Sequence, residues 1–267
     1  MTEGGLTPVQ PVRPVAPYIG GKRSLAGRLD QRIAATPHSV YAEPFVGMGG
    51  VFFRRRSRPK KEVINDINED VVLVFRWLQR HYQQVLDVLK WQICSRADFE
   101  RLLATDPKRL TELERVARFI YIQRTNFGGK LTGQAWGKTR DNPARFDLTK
   151  LVPMLEDVHE RLCGVDIERM PYADFIAFYD TPGTLFYLDP PYCGNEGDYG
   201  AGIFGREDFE RLRSILDGIQ GRFILSINDH PHARKIFAGL EMEQVGLNYR
   251  LSGKATPAKE LIITGCR

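Results

Sequence analysis

The hydrophobic positions of this chain follow two kinds of pattern. Short runs of apolar, strand-favouring residues, bounded by glycine, proline or charged residues, predict buried strands at 40–43, 62–65, 165–168, 185–188 and 222–226. Apolar residues at three- and four-residue spacing predict amphipathic helices at 24–33, 69–78 and 209–219. Strands that alternate with helices in this way indicate an α/β protein built around a mostly parallel sheet.

The middle of the chain follows only the helical pattern. Between Val71 and Leu162 the apolar residues recur at helical spacing, and strand signals are lost. This stretch is therefore interpreted as a helical insertion in the α/β fold. A last strand is predicted at 260–264, as an edge strand that follows a loop at 252–259.

The stretch from Leu185 to Tyr192 contains the strongest candidate chemistry. Four apolar residues run directly into Asp189, and the carboxyl ends of parallel strands are where open α/β sheets place their sites. The prolines that follow stiffen the turn and offer carbonyl acceptors without amide donors. A ligand amine with two N–H groups, such as that of a nucleobase, would find acceptors in Asp189 and Pro190 and a stacking surface in Tyr192. A plain surface turn is the alternative interpretation.

A glycine-rich turn follows the first predicted strand. Phe45, Gly47 and Gly49 lie between that strand and a predicted helix start at 51–54, which is the arrangement of a cofactor-binding loop. Asp66 ends the next strand, nineteen positions after Gly47, where a carboxylate can accept hydrogen bonds from a ribose diol. A helix cap is the alternative role for Asp66.

A polar, glycine-rich segment at 123–140 lies within the helical insertion. It contains residue types that contact bases and phosphates, and no acidic residue occurs before Asp141. A flexible loop or hairpin that contacts nucleic acid is therefore predicted, and an exposed polar loop without function is the alternative. The candidate contact residues are Arg124, Asn126, Lys130, Trp136, Lys138 and Arg140.

The composition and charge of the chain limit the partners, metal sites and cellular location that we expect. The chain has 267 residues and a net charge of +5, which is compatible with a polyanionic partner. Its four cysteines are scattered, and His230 and His232 lack a third ligand nearby, so no metal site is predicted. The first 17 residues, rich in proline, are interpreted as an extended arm, and no secretory or membrane-spanning segment is predicted. We expect a monomeric, intracellular protein.

The motifs in this order resemble those of the Dam-like, alpha-group adenine-specific DNA methyltransferases, particularly the phage and prophage types. The resemblance covers nearly the whole chain, from Tyr18 to Thr264. The segments that carry it are Tyr18–Lys22, Glu43–Gly49, Asn65–Asn68, Tyr172–Phe175, Leu188–Tyr192 and Ser226–Asp229.

The resemblance implies a fold, a donor and a partner. The fold would be a Rossmann-like S-adenosylmethionine-dependent methyltransferase sheet with a reversed last strand. A mostly helical target recognition domain at 76–162 would be inserted into a catalytic domain formed by 1–75 and 163–267. S-adenosylmethionine would be the methyl donor, no metal would be needed, and double-stranded DNA would be the partner.

The resemblance also assigns roles to single residues. Tyr18 and Lys22 would border the methionine end of the donor, above the turn that contains Phe45, Gly47 and Gly49. Asp66 would bind the ribose, and Asp174 with Phe175 would flank the adenine of the donor. Asp189 would lie beside the donor and, with Pro190, accept the amine hydrogens of an adenine flipped out of the duplex, on which Tyr192 would stack.

Two alternatives stay open at this stage. The same fold could act on an RNA or a protein amide acceptor, or it could belong to a DNA-binding relative that has lost catalysis. Arg124 and Asn126 match only loosely the arginine-asparagine pattern of the Dam proteins that read GATC, so the target sequence is left open.

Overall fold

A seven-stranded sheet forms the centre of the protein in a computed structural model that describes residues 5–137, 143–194, 202–251 and 254–265. Its strands are β2 Val40–Glu43, β4 Lys61–Asn65, β5 Asp166–Glu168, β6 Thr184–Leu188, β7 Arg222–Asn228, β8 Glu241–Leu251 and β9 Lys254–Gly265. The strand order across the sheet is β5-β4-β2-β6-β7-β9-β8. The first five strands in that order are parallel, and β9 is antiparallel to both of its neighbours. The reversed last strand that the resemblance implied is confirmed.

Helices cover both faces of this sheet. They are α1 Ala26–Ala35, α2 Glu69–Leu89, α3 Arg96–Ala104, α4 Glu112–Thr125, α5 Leu148–Leu162, α6 Tyr172–Tyr179, α7 Arg206–Gly218 and α8 Pro231–Ile236. Short 3-10 helices lie at Phe52–Arg54 and Pro107–Arg109, and β1 Thr7–Pro8 pairs with β3 Ser57–Arg58 in a separate ribbon. The described part of the segment between β4 and β5 is mostly helical, as the periodicity predicted.

Side-chain alternation along the strands separates two cores. Tyr41, Ile64 and Tyr187 point to one face, where they join the buried residues of α1, α2, α4 and α5. Val63 and Phe186 point to the other face and pack against α6 and α7. The helical insertion therefore shares a core with one face of the sheet. The predicted domain boundary at residue 76 falls inside α2, and the two-domain division stays a prediction.

Two local predictions are wrong. The segment 51–54 forms one 3-10 turn rather than the start of a helix, because the chain continues into β3. The strand predicted at 260–264 is not an edge strand, since β9 lies between β7 and β8 and its residues Leu261 to Ile263 are buried. β8 forms the edge instead, and its frequent polar residues had produced no strand signal.

Candidate active site

A cavity of about 1110 Å³ lies at the carboxyl ends of the central parallel strands. β2 and β6 are neighbours in the sheet. After β2 the chain continues to β4 on one side of this pair, and after β6 it continues to β7 on the other side. This divergence opens a crevice above the sheet, the usual ligand position in open α/β folds. Residues predicted for the site that line the cavity are Tyr18, Lys22, Phe45, Gly47, Asp66, Arg124 and Asp189.

The glycine turn after β2 is shaped by close contacts. Gly47 has a φ of +51°, which disfavours other residues. A Cβ atom there would lie 3.0 Å from the Tyr18 ring. The Gly47 N–H donates to Asp66 Oδ2 at 2.8 Å, so the turn is attached to the end of β4. Gly49 also has a positive φ and packs on Phe53 behind the turn, and it does not line the cavity.

Asp66 connects the glycine turn to the start of α2. Its second oxygen, Oδ1, accepts the Asn68 N–H at 2.9 Å. Burial raises the pKa of Asp66 to about 6, although the backbone N–H groups of Asn68 and Gly47 oppose that rise. The capping residue of α2 is Asn68, whose side chain accepts the Asp70 N–H. The helix-cap alternative for Asp66 is therefore not what the structure shows.

Asp189 lies at the end of β6 with one oxygen occupied and the other available. Oδ1 is 2.8 Å from Lys22 Nζ and accepts the Ser226 hydroxyl at 3.4 Å. Within the described part of the chain, Oδ2 receives no hydrogen bond. Burial raises the pKa of Asp189 to about 6, while Lys22 lowers it. The carboxylate is therefore ionised at neutral pH and can accept a hydrogen bond through Oδ2.

A buried network lies behind Asp189. Lys22 Nζ donates to the Tyr192 hydroxyl at 2.5 Å, and that hydroxyl donates to Glu260 Oε1 at 2.6 Å. Lys22 Nζ is also 3.3 Å from Glu260 Oε2. Sequence reasoning missed Glu260, because a carboxylate inside a predicted edge strand carries no local signal of a site. In the same turn Pro190 is buried, and Pro191 rather than Pro190 lines the cavity.

Glu43 is a second buried carboxyl group in the cavity wall. It ends β2 and accepts the Tyr41 hydroxyl at 2.7 Å. Burial raises its pKa to about 8, against an ordinary value of 4.5. The group is therefore mostly protonated at neutral pH, which avoids the cost of a buried charge beside Asp189.

Replacing Glu43 with glutamine should remove a pH dependence of stability. The folded protein retains this proton up to about pH 8, whereas the unfolded chain releases it near pH 4.5. The stabilisation is complete below the lower pKa and is lost as the pH rises through the higher one. Wild-type protein should thus lose on the order of 2 kcal/mol from this group between pH 6 and pH 8. Urea unfolding of both proteins at these two pH values checks this. An equal pH dependence in both would contradict it.

Asp174 and Phe175 do not reach the cavity, which corrects their predicted position beside the donor. Helix α6 begins at Tyr172, so both residues lie in its first turn. Because successive helix positions point in different directions, Phe175 is fully buried in the core whereas Asp174 is exposed to solvent. The residues just before them, Pro171 and Tyr172, line the cavity instead.

The candidate nucleic-acid segment forms a hairpin-like loop after α4. Asn126 pairs with Trp136 as an isolated antiparallel bridge, and Phe127 N–H donates to the Ala135 carbonyl at 2.8 Å. Asn126 is buried, and its amide nitrogen donates to Gln123 at 2.8 Å. Trp136 packs its ring edge-on against Phe99. These two side chains thus shape the loop in this structure.

The remaining residues predicted to contact nucleic acid have different surroundings. Lys130 is exposed, and Arg124 lines the cavity while donating to the Val15 carbonyl at 2.8 Å. Lys138 and Arg140 lie outside the described residues. The loop also contacts the segment before α1 that lines the cavity, because the Ile19 N–H donates to the Gly129 carbonyl at 3.0 Å.

Arginines surround part of the cavity. Arg13, Arg23 and Arg54 line one side, and none of them forms an ion pair with a described residue. Burial lowers the pKa of Arg54, and the charges of Arg23 and Arg13 lower it further, so the three guanidinium groups repel one another. An unneutralised cluster of this kind attracts an anion.

Two negative findings apply to the described residues alone. They contain no cluster of three or more histidine, cysteine or acidic side chains that could bind a metal ion. His230 caps α8, because its ring accepts a hydrogen bond from the His232 N–H. None of the described helices combines the length and apolar character that a membrane crossing requires.

Comparison with known proteins gives one family. The family model described as D12 class N6 adenine-specific DNA methyltransferase matches residues 18–250. The chain is 26% identical to the type II methyltransferase M1.LlaDCHI of Lactococcus lactis subsp. cremoris, over 95% of each chain. It is 21% identical to the type II methyltransferase M.CviBI of Paramecium bursaria Chlorella virus NC1A, over 90% of this chain and 92% of the relative. Among solved structures, the glycopeptide N-methyltransferase MtfA complexed with S-adenosylmethionine has 13% identity and a TM-score of 0.33, covering 91% of this chain and 66% of that one.

Proposed function

From the membership of this chain in the D12 class of N6 adenine-specific DNA methyltransferases, we infer that its cavity binds S-adenosylmethionine beside an adenine turned out of duplex DNA. The position of Asp189 carries this inference. Its carboxylate ends the central strand β6 and lines the same cavity as the glycine turn and Asp66. The same cavity thus contains a hydrogen-bond acceptor suited to an amine and a glycine turn suited to a nucleotide.

The cavity fits a methyl donor together with a base. Its volume of about 1110 Å³ exceeds the roughly 300–1,000 Å³ of a pocket for one small ligand. Glycine at position 47 lets the Tyr18 ring pack against the turn, where a larger residue would meet that ring. Asp66 would bind the ribose hydroxyls, the turn from Phe45 to Gly49 would lie under the methionine part, and Tyr18 would border it.

The reaction needs an acceptor for amine hydrogens. When bound, S-adenosylmethionine would supply a methyl group on a positively charged sulfur. The adenine nitrogen would bond to the methyl carbon as the carbon–sulfur bond breaks, S-adenosylhomocysteine would leave, and the methylated amine would release one proton to water. Asp189 Oδ2 and the Pro190 carbonyl would accept the two N–H groups. These contacts favour a pyramidal nitrogen, localise its lone pair and stabilise the positive charge that develops there.

Labelling tests the reaction directly. Purified protein is incubated with methyl-labelled S-adenosylmethionine and an equal mixture of unmethylated duplex DNA, RNA and a glutamine-containing protein acceptor. We expect label in N6-methyladenine of the DNA. Label in RNA or protein alone would support the other acceptor classes, and donor binding without any transfer would support a non-catalytic relative.

DNA would reach the cavity along the basic side of the molecule. Arg13, Arg23 and Arg54 would contact phosphates next to the flipped adenosine, and the loop from Arg124 to Arg140 would contact the neighbouring base pairs. Lys130 is exposed within that loop. We expect one monomer to bind one site, acting on DNA in the cytoplasm of a bacterial or phage-infected cell.

Replacing Arg23 with alanine should weaken DNA binding by roughly the contribution of one phosphate contact. Arg23 is exposed and forms no ion pair among the described residues, so its charge is available to DNA. The slope of log affinity against log salt should become less negative by about 1. Arg222→Ala is the matched control, because Arg222 begins β7 at the end of the sheet opposite the cavity. An unchanged slope in Arg23→Ala would place the phosphate elsewhere.

A further inference from the structure

We propose that Glu260 is a positioning residue for methyl transfer. It binds and neutralises Lys22, so that Lys22 can orient the Asp189 carboxylate without cancelling the negative charge beside the reacting amine. This inference rests on the proposed function of the Asp189 site. It assigns a role to a residue that lies outside every motif of the resemblance and outside the matched residues 18–250.

Three distant parts of the chain converge at this network. Lys22 comes from the segment before α1, Asp189 follows β6, and Glu260 lies on β9, paired in register with Asn228 of β7. Lys22 and Glu260 are each only 1% exposed. Because a buried ammonium is costly without partners, the two carboxylates are what stabilise Lys22 in this position.

Lys22 determines which carboxylate oxygen faces the substrate. Its Nζ lies 2.8 Å from Asp189 Oδ1, and the Ser226 hydroxyl donates to the same oxygen. With Oδ1 occupied, the carboxylate cannot rotate without losing both contacts. Oδ2 is then the acceptor left for the adenine amine, and it is oriented before the substrate binds.

Glu260 is needed because orientation by a cation has an electrostatic disadvantage. An ammonium paired with Asp189 alone would leave a neutral pair next to a sulfonium donor and an amine that becomes positive. Glu260 Oε2, 3.3 Å from Lys22 Nζ, adds a second negative charge. The cluster of Asp189, Lys22 and Glu260 then carries a net charge of −1, which favours a cationic transition state.

The same contacts position Tyr192. Its hydroxyl accepts from Lys22 and donates to Glu260, and Lys22 Nζ lies 4.2 Å from the centre of its ring. The predicted stacking surface for the flipped base is thus connected to the residues that orient the acceptor. Loss of Glu260 would release Lys22 and Tyr192 together.

Two other ionisable groups, Glu43 and Tyr187, lie near Asp189 and stay neutral while Asp189 titrates. Glu43 lies close enough to interact electrostatically with it, but remains mostly protonated below about pH 8. The Tyr187 hydroxyl is hydrogen-bonded to Ser226 at 2.8 Å, and burial raises the pKa of Tyr187 well above 10, so it stays neutral. Near pH 6, the charged neighbours that affect the pKa of Asp189 are Lys22, which lowers it, and Glu260, which raises it.

The test is the single-turnover rate of Glu260→Gln from pH 5 to pH 8, with saturating donor and DNA. We expect the plateau rate to fall by about 10- to 100-fold, since the variant loses transition-state charge stabilisation. On the acid side of the pH–rate profile, the midpoint is the pH at which the rate is half of its plateau. This midpoint should move to lower pH, because the charge that raised the Asp189 pKa is gone. Lys22→Met should move the midpoint in the opposite direction. A merely structural role would move neither midpoint.

Controls separate the possible outcomes. Glu243→Gln, on neighbouring β8, removes a carboxylate that pairs with Arg32 and should keep the wild-type rate and midpoint. A folded Glu260→Gln with wild-type plateau and midpoint would overturn the proposal. If that variant does not fold, Glu260→Asp decides: because its shorter side chain withdraws the carboxylate from Lys22, a midpoint at lower pH supports the proposal, and a wild-type midpoint overturns it. Wild-type protein that fails to methylate DNA adenine would refute the proposed function instead.

Discussion

Asp189→Asn should reduce the rate of methyl transfer by about 10³-fold while the protein still binds donor and DNA. The side chain keeps its shape, but its charge is lost, and an amide presents two N–H donors beside a single acceptor oxygen. If the amide nitrogen takes the Oδ1 position, it faces the Lys22 ammonium, which lies 2.8 Å from that atom in the wild type. The more favourable orientation therefore directs the amide N–H groups toward the adenine amine, where donor meets donor.

Single-turnover methylation and binding measurements together check this prediction. The rate should fall while the dissociation constants for S-adenosylmethionine and DNA stay within a few-fold of wild type, because Asp189 acts mainly in the transition state. Asp217→Asn provides a matched control, since Asp217 lies on α7 and pairs with Arg213. A near-normal rate in Asp189→Asn would remove Asp189 from its role in the reaction.

Asp66→Asn should weaken the binding of S-adenosylmethionine by about 100-fold, which corresponds to about 2.8 kcal/mol. The carboxylate accepts N–H groups from both Gly47 and Asn68, each through a different oxygen. An asparagine offers one oxygen, so one of these N–H groups would face an N–H donor. The glycine turn or the start of α2 would then shift, and a charged acceptor for the ribose would be lost.

Calorimetric titration with the donor measures this effect without requiring DNA or catalysis. Asp87→Asn is the control on the same helix, because Asp87 is exposed and contacts Gln83 and Lys90 at the far end of α2. It should bind the donor like wild type. Unchanged affinity in Asp66→Asn would show that the donor binds away from the end of β4.

These two residues also show how far sequence reasoning extended. Asp66 and Asp189 each follow a strand with a strong apolar signal, and the carboxyl ends of parallel strands in one sheet lie along the same edge. Their convergence on one cavity could thus be predicted before any coordinates were known. Gly47 was predictable for the same reason, since its turn follows the strand between them.

Other parts of the site depend on contacts that no local pattern records. Asp174 and Phe175 belong to a recognisable motif, yet the start of α6 at Tyr172 turns both away from the cavity. Glu260 lies 238 positions after Lys22 and reaches it only because β9 inserts between β7 and β8. Asn126 and Trp136 have side chains suited to DNA contact, but here they shape their own loop.

Strand and helix periodicity, the glycine turn and the carboxylates at strand ends followed from the sequence by itself, because each depends on neighbours within a few positions. The tertiary structure alone decided which oxygen of Asp189 remains available and which charges surround it. Those properties arise from β9 pairing beside β7 and from the segment before α1 folding over the strand ends. Such long-range contacts determine burial, and burial determines the charge state of a carboxyl group.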